Sequence, residues 1–240
     1  MQGSGMGSSQ PDGRHAIILA AGAGSRLSDV EPVKPLTLVH GRPLLLHVLD
    51  ALASAGATGA TIVVGHRADA ISAILGDAPI PATPVHNADW ASAPNGVSVL
   101  AAANAVRPGS FLCMSDHLID PLLPQRLLAG AQAPLSLAID RRLGHPWVDE
   151  ADVTRVRTEG RAIRAIGKGL CIYDAYDTGL FLIGPELIAA LRARSGPSLS
   201  DGVAALARQG LAEAVDVGDS PWLDVDDARA LALARRKWRD

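Results

Sequence analysis

Positive charge is not in surplus here: 22 Lys and Arg face 25 Asp and Glu, for a net charge of -3 and an isoelectric point near 6.1. General electrostatic attraction to nucleic acid or to an anionic membrane surface needs an excess of cations on one face, so both partner classes are set aside. Aromatic residues are scarce at 3%, and alanine takes over much of the packing. Cysteine is nearly absent. Cys113 and Cys171 lie far apart in or beside apolar runs, where thiols are usually inert core, and they form no C-x-x-C pair, which reads as a reducing, cytoplasmic setting. No apolar run approaches the roughly eighteen residues of a membrane span.

What is present is a chain of 240 residues, 48% hydrophobic, long enough to bury a core without staples. Residues 1–13 ("MQGSGMGSSQPDG") are polar and glycine-rich, with no apolar stretch of a signal peptide. They read as a disordered lead-in or cloning remnant, and 14–240 as one domain.

Apolar patterning alternates in type along the chain. "HAIILAA", "ATIVVG" and "SFLCMSD" are short, nearly continuous apolar runs, as buried strands require. Between them, "RPLLLHVLDALASAG" (42–56), "RADAISAIL" and "GVSVLAAANAV" have helical spacing, and "ATPVHN" reads as a further short strand. That alternation predicts an α/β fold with a parallel sheet covered on both faces. Past Asp116 the strands crowd together: "LSLAID", a hairpin around "TEGR", "DTGLFLIG", then two helices, the strand "EAVDVG", the extended "WLDV" and a closing helix. No repeat or linker divides the chain, so a mixed half completes the sheet begun by a parallel half.

Ligands of such sheets lie beyond the carboxyl ends of the strands. There stands "LAAGAGSRL" (19–27), in which Gly22 and Gly24 free backbone N–H groups to approach phosphate and Arg26 adds a fork of donors. The stretch matches neither G-x-x-x-x-G-K-[ST] nor the three-glycine dinucleotide fingerprint. On its own it fits a glycine turn with a solvated arginine as well as a phosphate cradle. Lys34, held before a proline in "KPL", adds a cation a short loop later. Asp116 ends an apolar strand, where a carboxylate is either a hard-oxygen partner for Mg²⁺ or the cap of a helix over "LIDPLL". His117 would point to the opposite face if that strand continued, leaving it a structural part at most. In extended "WLDVDD", Asp224 and Asp226 share a face and repel unless a cation stands between them, while Asp226 or Asp227 could equally cap the last helix.

Together these motifs resemble the nucleotidyltransferases that couple NTPs to phosphorylated sugars and alcohols, a Rossmann-like, GT-A-like fold with a mostly parallel mixed sheet. "NADWASAPNGVSVLAA", "MSDHLI", "AIGKGLCIYDAYDTGLFLI", "SLSDGVAALARQG" and "WLDVDD" most resemble the inositol-1-phosphate cytidylyltransferases, over about 16–233. The resemblance implies that CTP and a phosphorylated alcohol, inositol 1-phosphate, react to give CDP-inositol and pyrophosphate. It implies that Leu19, Ala20, Ala21, Gly22, Ala23, Gly24 and Ser25 hold the triphosphate with Arg26 and Lys34. Asn87, Asn95 and Ser98 would contact base and ribose, and Asp116, Asp224 and Asp226 would hold Mg²⁺. Lys168 would reach the acceptor phosphate, Asp177 its hydroxyls, and Gly179 would permit close approach. Some family members continue into a membrane phosphotransferase; this chain stops before such a segment. Phosphocholine, an aminoalkylphosphonate or a sugar 1-phosphate are the alternative acceptors; Tyr173, Tyr176, Trp90, Trp147, Trp222 and Trp238 are available to cage a quaternary cation. A module that senses CTP without turnover is the rival from another class. The apolar faces of the late helices are candidates for pairing two copies.

Overall fold

The structure, a computed structural model, describes residues 13–24 and 33–238. Ser25, Arg26 and Leu27, and so the arginine of the glycine loop, lie outside the described residues. In chain order the elements are β1 (Arg14–Ala20), β2 (Leu38–Val39), β3 (Arg42–Pro43), α1 (Leu44–Ser54), β4 (Ala57–Val64), α2 (Ala68–Ala73), β5 (Ala82–His86) and α3 (Asn95–Ala101). Next come β6 (Ser110–Met114), β7 (His117–Ile119), α4 (Leu122–Gly130), β8 (Leu135–Asp140), β9 (Arg155–Glu159), β10 (Ala162–Gly167) and β11 (Ala175–Ile183). The chain closes with α5 (Pro185–Arg192), α6 (Leu199–Arg208), β12 (Ala212–Asp216), β13 (Trp222–Asp224) and α7 (Ala228–Lys237).

One sheet runs β5-β4-β1-β6-β11-β8-β12-β10-β9. The strands β5, β4, β1 and β6 are mutually parallel, and β11 enters antiparallel to both β6 and β8. The expected parallel half and mixed half therefore meet at β11. Alternation along β1 explains why both faces are covered. Ala16, Ile18 and Ala20 pack with Leu45, Leu49 and Leu52 of α1 on one side, and Ile17 and Leu19 pack with Val99 of α3 and Val203 of α6 on the other. Each such leucine contributes roughly 1.5–3 kcal/mol by leaving water, so the sheet is fixed from both sides.

Helix limits moved where local chemistry overrode the apolar pattern. The helix expected from Arg42 starts at Leu44, because Arg42–Pro43 pair with Leu38–Val39 in a small hairpin turned by His40 and Gly41, both at positive φ. Proline at the position before the first helical residue suits that start. Cys113 is buried as expected, whereas Cys171 is exposed, in a loop whose Ile172 is also 70% exposed. Leu187 and Leu191 of α5 and Val203 and Leu206 of α6 are buried within the chain, in the cluster that covers one face of the sheet. Among the described residues no helix is long and apolar enough to cross a membrane.

Candidate active site

From β1 the chain crosses to β4 and β5 on one side, then returns to β6 on the other. The crevice beyond the carboxyl ends of β1 and β6 is therefore the switch point where open α/β sheets bind ligands. Leu19 and Ala20 are core residues of β1, and the Leu19 carbonyl accepts from the Ser115 N–H at 3.1 Å. Ala21 is buried too, its carbonyl taken by the His66 N–H, so the free backbone of the cradle begins at Gly22 and Ala23. Gly24 has φ +63°, and a Cβ there would stand 2.8 Å from the Lys34 Cβ. The glycine thus makes room for the lysine as well as for a turn.

Lys34 opens a single 3-10 turn whose next residue is the φ-fixing Pro35, and it is only 6% exposed. Its ammonium lies 2.6 Å from Asp116 Oδ2 and 3.6 Å from Asp224 Oδ1, and it also bonds Asp226. The three carboxylates expected to gather around a cation have been brought together from positions more than a hundred residues apart. A second small sheet does this: β7 pairs antiparallel with β13, setting His117 opposite Asp224, and the Val225 N–H bonds the Asp116 carbonyl at 3.0 Å. Asp227 turns away and caps α7, accepting from the Ala230 N–H at 2.7 Å. Asp116 is not a helix cap. It occupies the turn between β6 and β7, and Asp120 accepts from the N–H of Leu122 at the start of α4 instead.

His117 is closer to the chemistry than strand alternation implied, because β6 ends at Met114 and the chain turns before the histidine. Its Nε2 lies 3.6 Å from Asp224 and 3.8 Å from Asp116, its Nδ1 pairs with the Thr178 carbonyl at 2.8 Å, and its ring stacks on Trp222. Burial works against the imidazolium, but Asp224, Asp116 and the Thr178 carbonyl outweigh it and raise the pKa to about 9. Gly179 serves this histidine: it has φ +77°, and a Cβ would fall 2.2 Å from His117 Nδ1.

Beside the carboxylates opens a cavity of about 170 Å³. Lys168, 60% exposed, stands at its rim and pairs with Asp152 at 2.5 Å, while Asp177 lines it more deeply. Burial lifts the Asp177 carboxyl to about 6, against the Gly179 N–H that it accepts at 2.7 Å and the nearby His117. Asp152 was not anticipated. It lies in the 141–154 loop, whose acids read as ordinary solvated residues, yet its carboxylate comes within 4.8 Å of those of Asp224 and Asp226. Trp147 and Trp222 also line the cavity; Trp90 packs on His66 and Trp238 on Trp147. Tyr176 is fully buried and Tyr173 lies under Arg155, 4.7 Å from the ring centre, so neither is open to a quaternary cation.

Asn87 and Ser98 are buried and bonded to each other at 3.0 Å, and Asn87 Oδ1 accepts the Asp89 N–H. Asn95 lines the cavity and accepts the Leu199 N–H at 2.9 Å, tying α3 to α6. Of the three residues expected at base and ribose, Asn95 alone lines this cavity, while Asn87 and Ser98 lie buried against each other.

The donor set suits a divalent cation. Asp116 Oδ1 is a buried carboxylate oxygen with no hydrogen-bond partner among the described residues, and the carboxylates of Asp224 and Asp226 beside it offer the oxygen ligands that hard cations prefer, around a point where the Lys34 ammonium now supplies the positive charge.

The sequence model of the MobA-like NTP transferase domain matches residues 16–169. Among curated proteins, the "Bifunctional IPC transferase and DIPP synthase" of Rubrobacter xylanophilus is 36% identical over 228 residues, covering 93% of this chain and 51% of its own. The "CMP-5'-(3-aminopropyl)phosphonate synthase" of Streptomyces rubellomurinus is 32% identical, over 88% of this chain and 37% of its own. The chain thus spans about half of the length of the first of these relatives and 37% of the second. Among solved structures, the inositol-1-phosphate CTP transferase of T. maritima superposes with a TM-score of 0.83 over 96% of this chain and 100% of the other, at 21% identity. The expected mixed-sheet nucleotidyltransferase fold is thereby borne out.

Proposed function

This chain belongs to the MobA-like NTP transferase family, and from that premise we propose that it is a cytidylyltransferase joining CTP to inositol 1-phosphate, releasing pyrophosphate and leaving CDP-inositol. The observation that carries this reading is the meeting of Lys34 with Asp116, Asp224 and Asp226 beside a cavity whose rim and wall hold Lys168 and Asp177. The T. maritima neighbour supports the acceptor and CTP, and the Streptomyces relative supports the cytidyl group, each through its name.

An oxygen of the acceptor's phosphomonoester attacks the α-phosphorus of CTP in line with the departing pyrophosphate. That oxygen is already ionised near neutral pH, so the site needs no general base. The obstacle is repulsion: one like-charge pair at about 4 Å and an effective dielectric of about 20 costs ~4 kcal/mol. Catalysis is accordingly positioning and charge neutralisation. Mg²⁺, when bound by Asp116, Asp224 and Asp226, would supply positive charge at the phosphates. Lys34 then neutralises the triphosphate together with the glycine-loop backbone and Arg26. Lys168 exchanges Asp152 for the acceptor phosphate, and Asp177 accepts from the polyol hydroxyls. Such a reaction belongs in the cytoplasm, where CTP is made.

Pyrophosphate release with CTP and Mg²⁺ across inositol 1-phosphate, phosphocholine, 3-aminopropylphosphonate and a sugar 1-phosphate tests the reading. Fastest release with inositol 1-phosphate is expected. Turnover of another member alone reassigns the acceptor, and CTP binding with no release from any of them converts the protein into a nucleotide sensor. Lys168→Ala should raise the KM for the acceptor roughly 10- to 100-fold, the worth of a charged hydrogen bond, with the KM for CTP little changed. Equal losses for both substrates would move Lys168 to the nucleotide.

A further inference from the structure

The cavity's cover is the 141–154 loop between β8 and β9, which contributes Trp147, Val148, Asp149 and Asp152 to the lining. Several groups hold it in place: Arg142 donates to the Asp219 and Ser220 carbonyls, Arg229 to the Pro146 carbonyl at 3.2 Å and Arg155 to the Glu150 carbonyl at 2.9 Å. One buried side chain beneath it holds two separate points of the loop. The Tyr176 hydroxyl, on a fully buried ring, accepts from the Gly144 N–H at 2.8 Å and donates to the Glu150 carboxylate. Those two partners flank the lining residues Pro146 to Asp149, so one oxygen fastens the loop on both sides of that stretch, two residues before the lining Asp152.

Glu150 carries the connection further. Its second oxygen accepts from Tyr173 at 3.3 Å and from Arg155 at 3.4 Å, and Arg155 also donates to the Leu170 carbonyl and covers the Tyr173 ring. Tyr173 and Leu170 belong to the connection that follows Lys168. The network thus joins the loop bearing Asp152 to the loop bearing Lys168, the two residues that meet at 2.5 Å. A phenol in this setting stays a donor: burial and the neighbouring Glu150 raise its pKa to about 12.

We propose that Tyr176 is a positioning residue for the acceptor, its hydroxyl holding the 141–154 loop so that Asp152 presents Lys168 at the cavity rim. The proposal rests on the cytidylyltransferase reading for its kinetic consequence and on geometry alone for its mechanical one. The hydroxyl bonds Gly144 and Glu150, neither of them a member of the Lys34 cluster, and the loop it holds meets that cluster only through Asp152 among the described residues.

Tyr176→Phe removes the oxygen and keeps the ring. In the full chain it should raise the KM for inositol 1-phosphate roughly tenfold, the worth of a lost hydrogen bond to a charged group, while the KM for CTP and kcat at saturation change less than about twofold. Glu150→Ala should do the same, whereas Glu150→Gln, which keeps an oxygen for the hydroxyl, should fall closer to wild type. Hydrogen exchange read on the same proteins without any ligand should quicken in 141–154 and 168–173 and stay unchanged in β1, β4 and β6. If the wild type turns over inositol 1-phosphate but Tyr176→Phe leaves its KM unmoved, or raises both KM values alike, the positioning role is overturned. If the wild type ignores inositol 1-phosphate, the functional reading fails, and exchange in the two loops decides the clamp: no local change on removing the hydroxyl rejects it.

Discussion

Asp116→Ala is expected to lower turnover with CTP and Mg²⁺ by roughly a hundred- to a thousandfold, as losing one charge-stabilising group at a reacting centre does, equivalent to about 3–4 kcal/mol of barrier. The thermal midpoint should move by only a few degrees. Asp116 sits in a turn, outside the three apolar clusters, and its Oδ1 has no hydrogen bond to lose. Its departure leaves Lys34 with Asp224 and Asp226, so no charge is stranded. Steady-state pyrophosphate release and a melting curve on the same sample check both halves. Turnover near the wild-type rate would remove Asp116 from the metal and with it the proposed catalytic centre.

Lys34→Met should be as damaging to turnover and should also reveal what the lysine does at rest. Methionine keeps a stem to pack over Gly24 but deletes the ammonium that three carboxylates share. Removing one partner of a buried ion pair costs about 3–5 kcal/mol. Asp116, Asp224 and Asp226 are each 20–36% exposed, so water absorbs part of that and the lower end of the range applies. For a chain of this size that is a fall of roughly 5–10 °C in the midpoint when measured in chelator. Added Mg²⁺ should restore much of it, because an ion that binds only the folded state stabilises by mass action, and should raise the wild type much less. A midpoint unaffected by the substitution, or an equal response to Mg²⁺ in both proteins, would show that Lys34 is not the resting counter-ion of this cluster.

The centre of the sheet was legible because β1, β4, β6, β8 and β11 are apolar on both faces and the helices on one, a difference that sequence displays directly. The carboxylates were legible for another reason: an aspartate that ends a buried strand, and a pair spaced by two in an extended segment, are anomalies against their surroundings. His117 was missed because alternation was carried past Met114, where β6 in fact ends and the backbone turns. Asp152 was missed because nothing local separates it from Asp149 and Glu150; its place is set by a loop path that distant residues hold, among them Tyr176, Arg229 and Lys168. Gly179 lines the cavity, as close approach to a ligand requires, and it also leaves room for His117, a second neighbour that only tertiary structure supplies. Where a role depends on which loop lies over which strand, residue type and spacing carry no record of it.

The pairing of β7 with β13 has a consequence for how the site changes over evolution. Asp116 and Asp224 are not spaced by side-chain packing, which tolerates gradual adjustment, but by a ladder in which Asp224 faces His117 and Val225 bonds the Asp116 carbonyl. A strand register moves in whole residues, and one step reverses inside and outside. A single insertion or deletion between α6 and Trp222 that shifted the ladder would therefore present Leu223 or Val225 where the second carboxylate stands. The separation of the two acids is a digital quantity, which variation in the surrounding core can neither drift nor fine-tune.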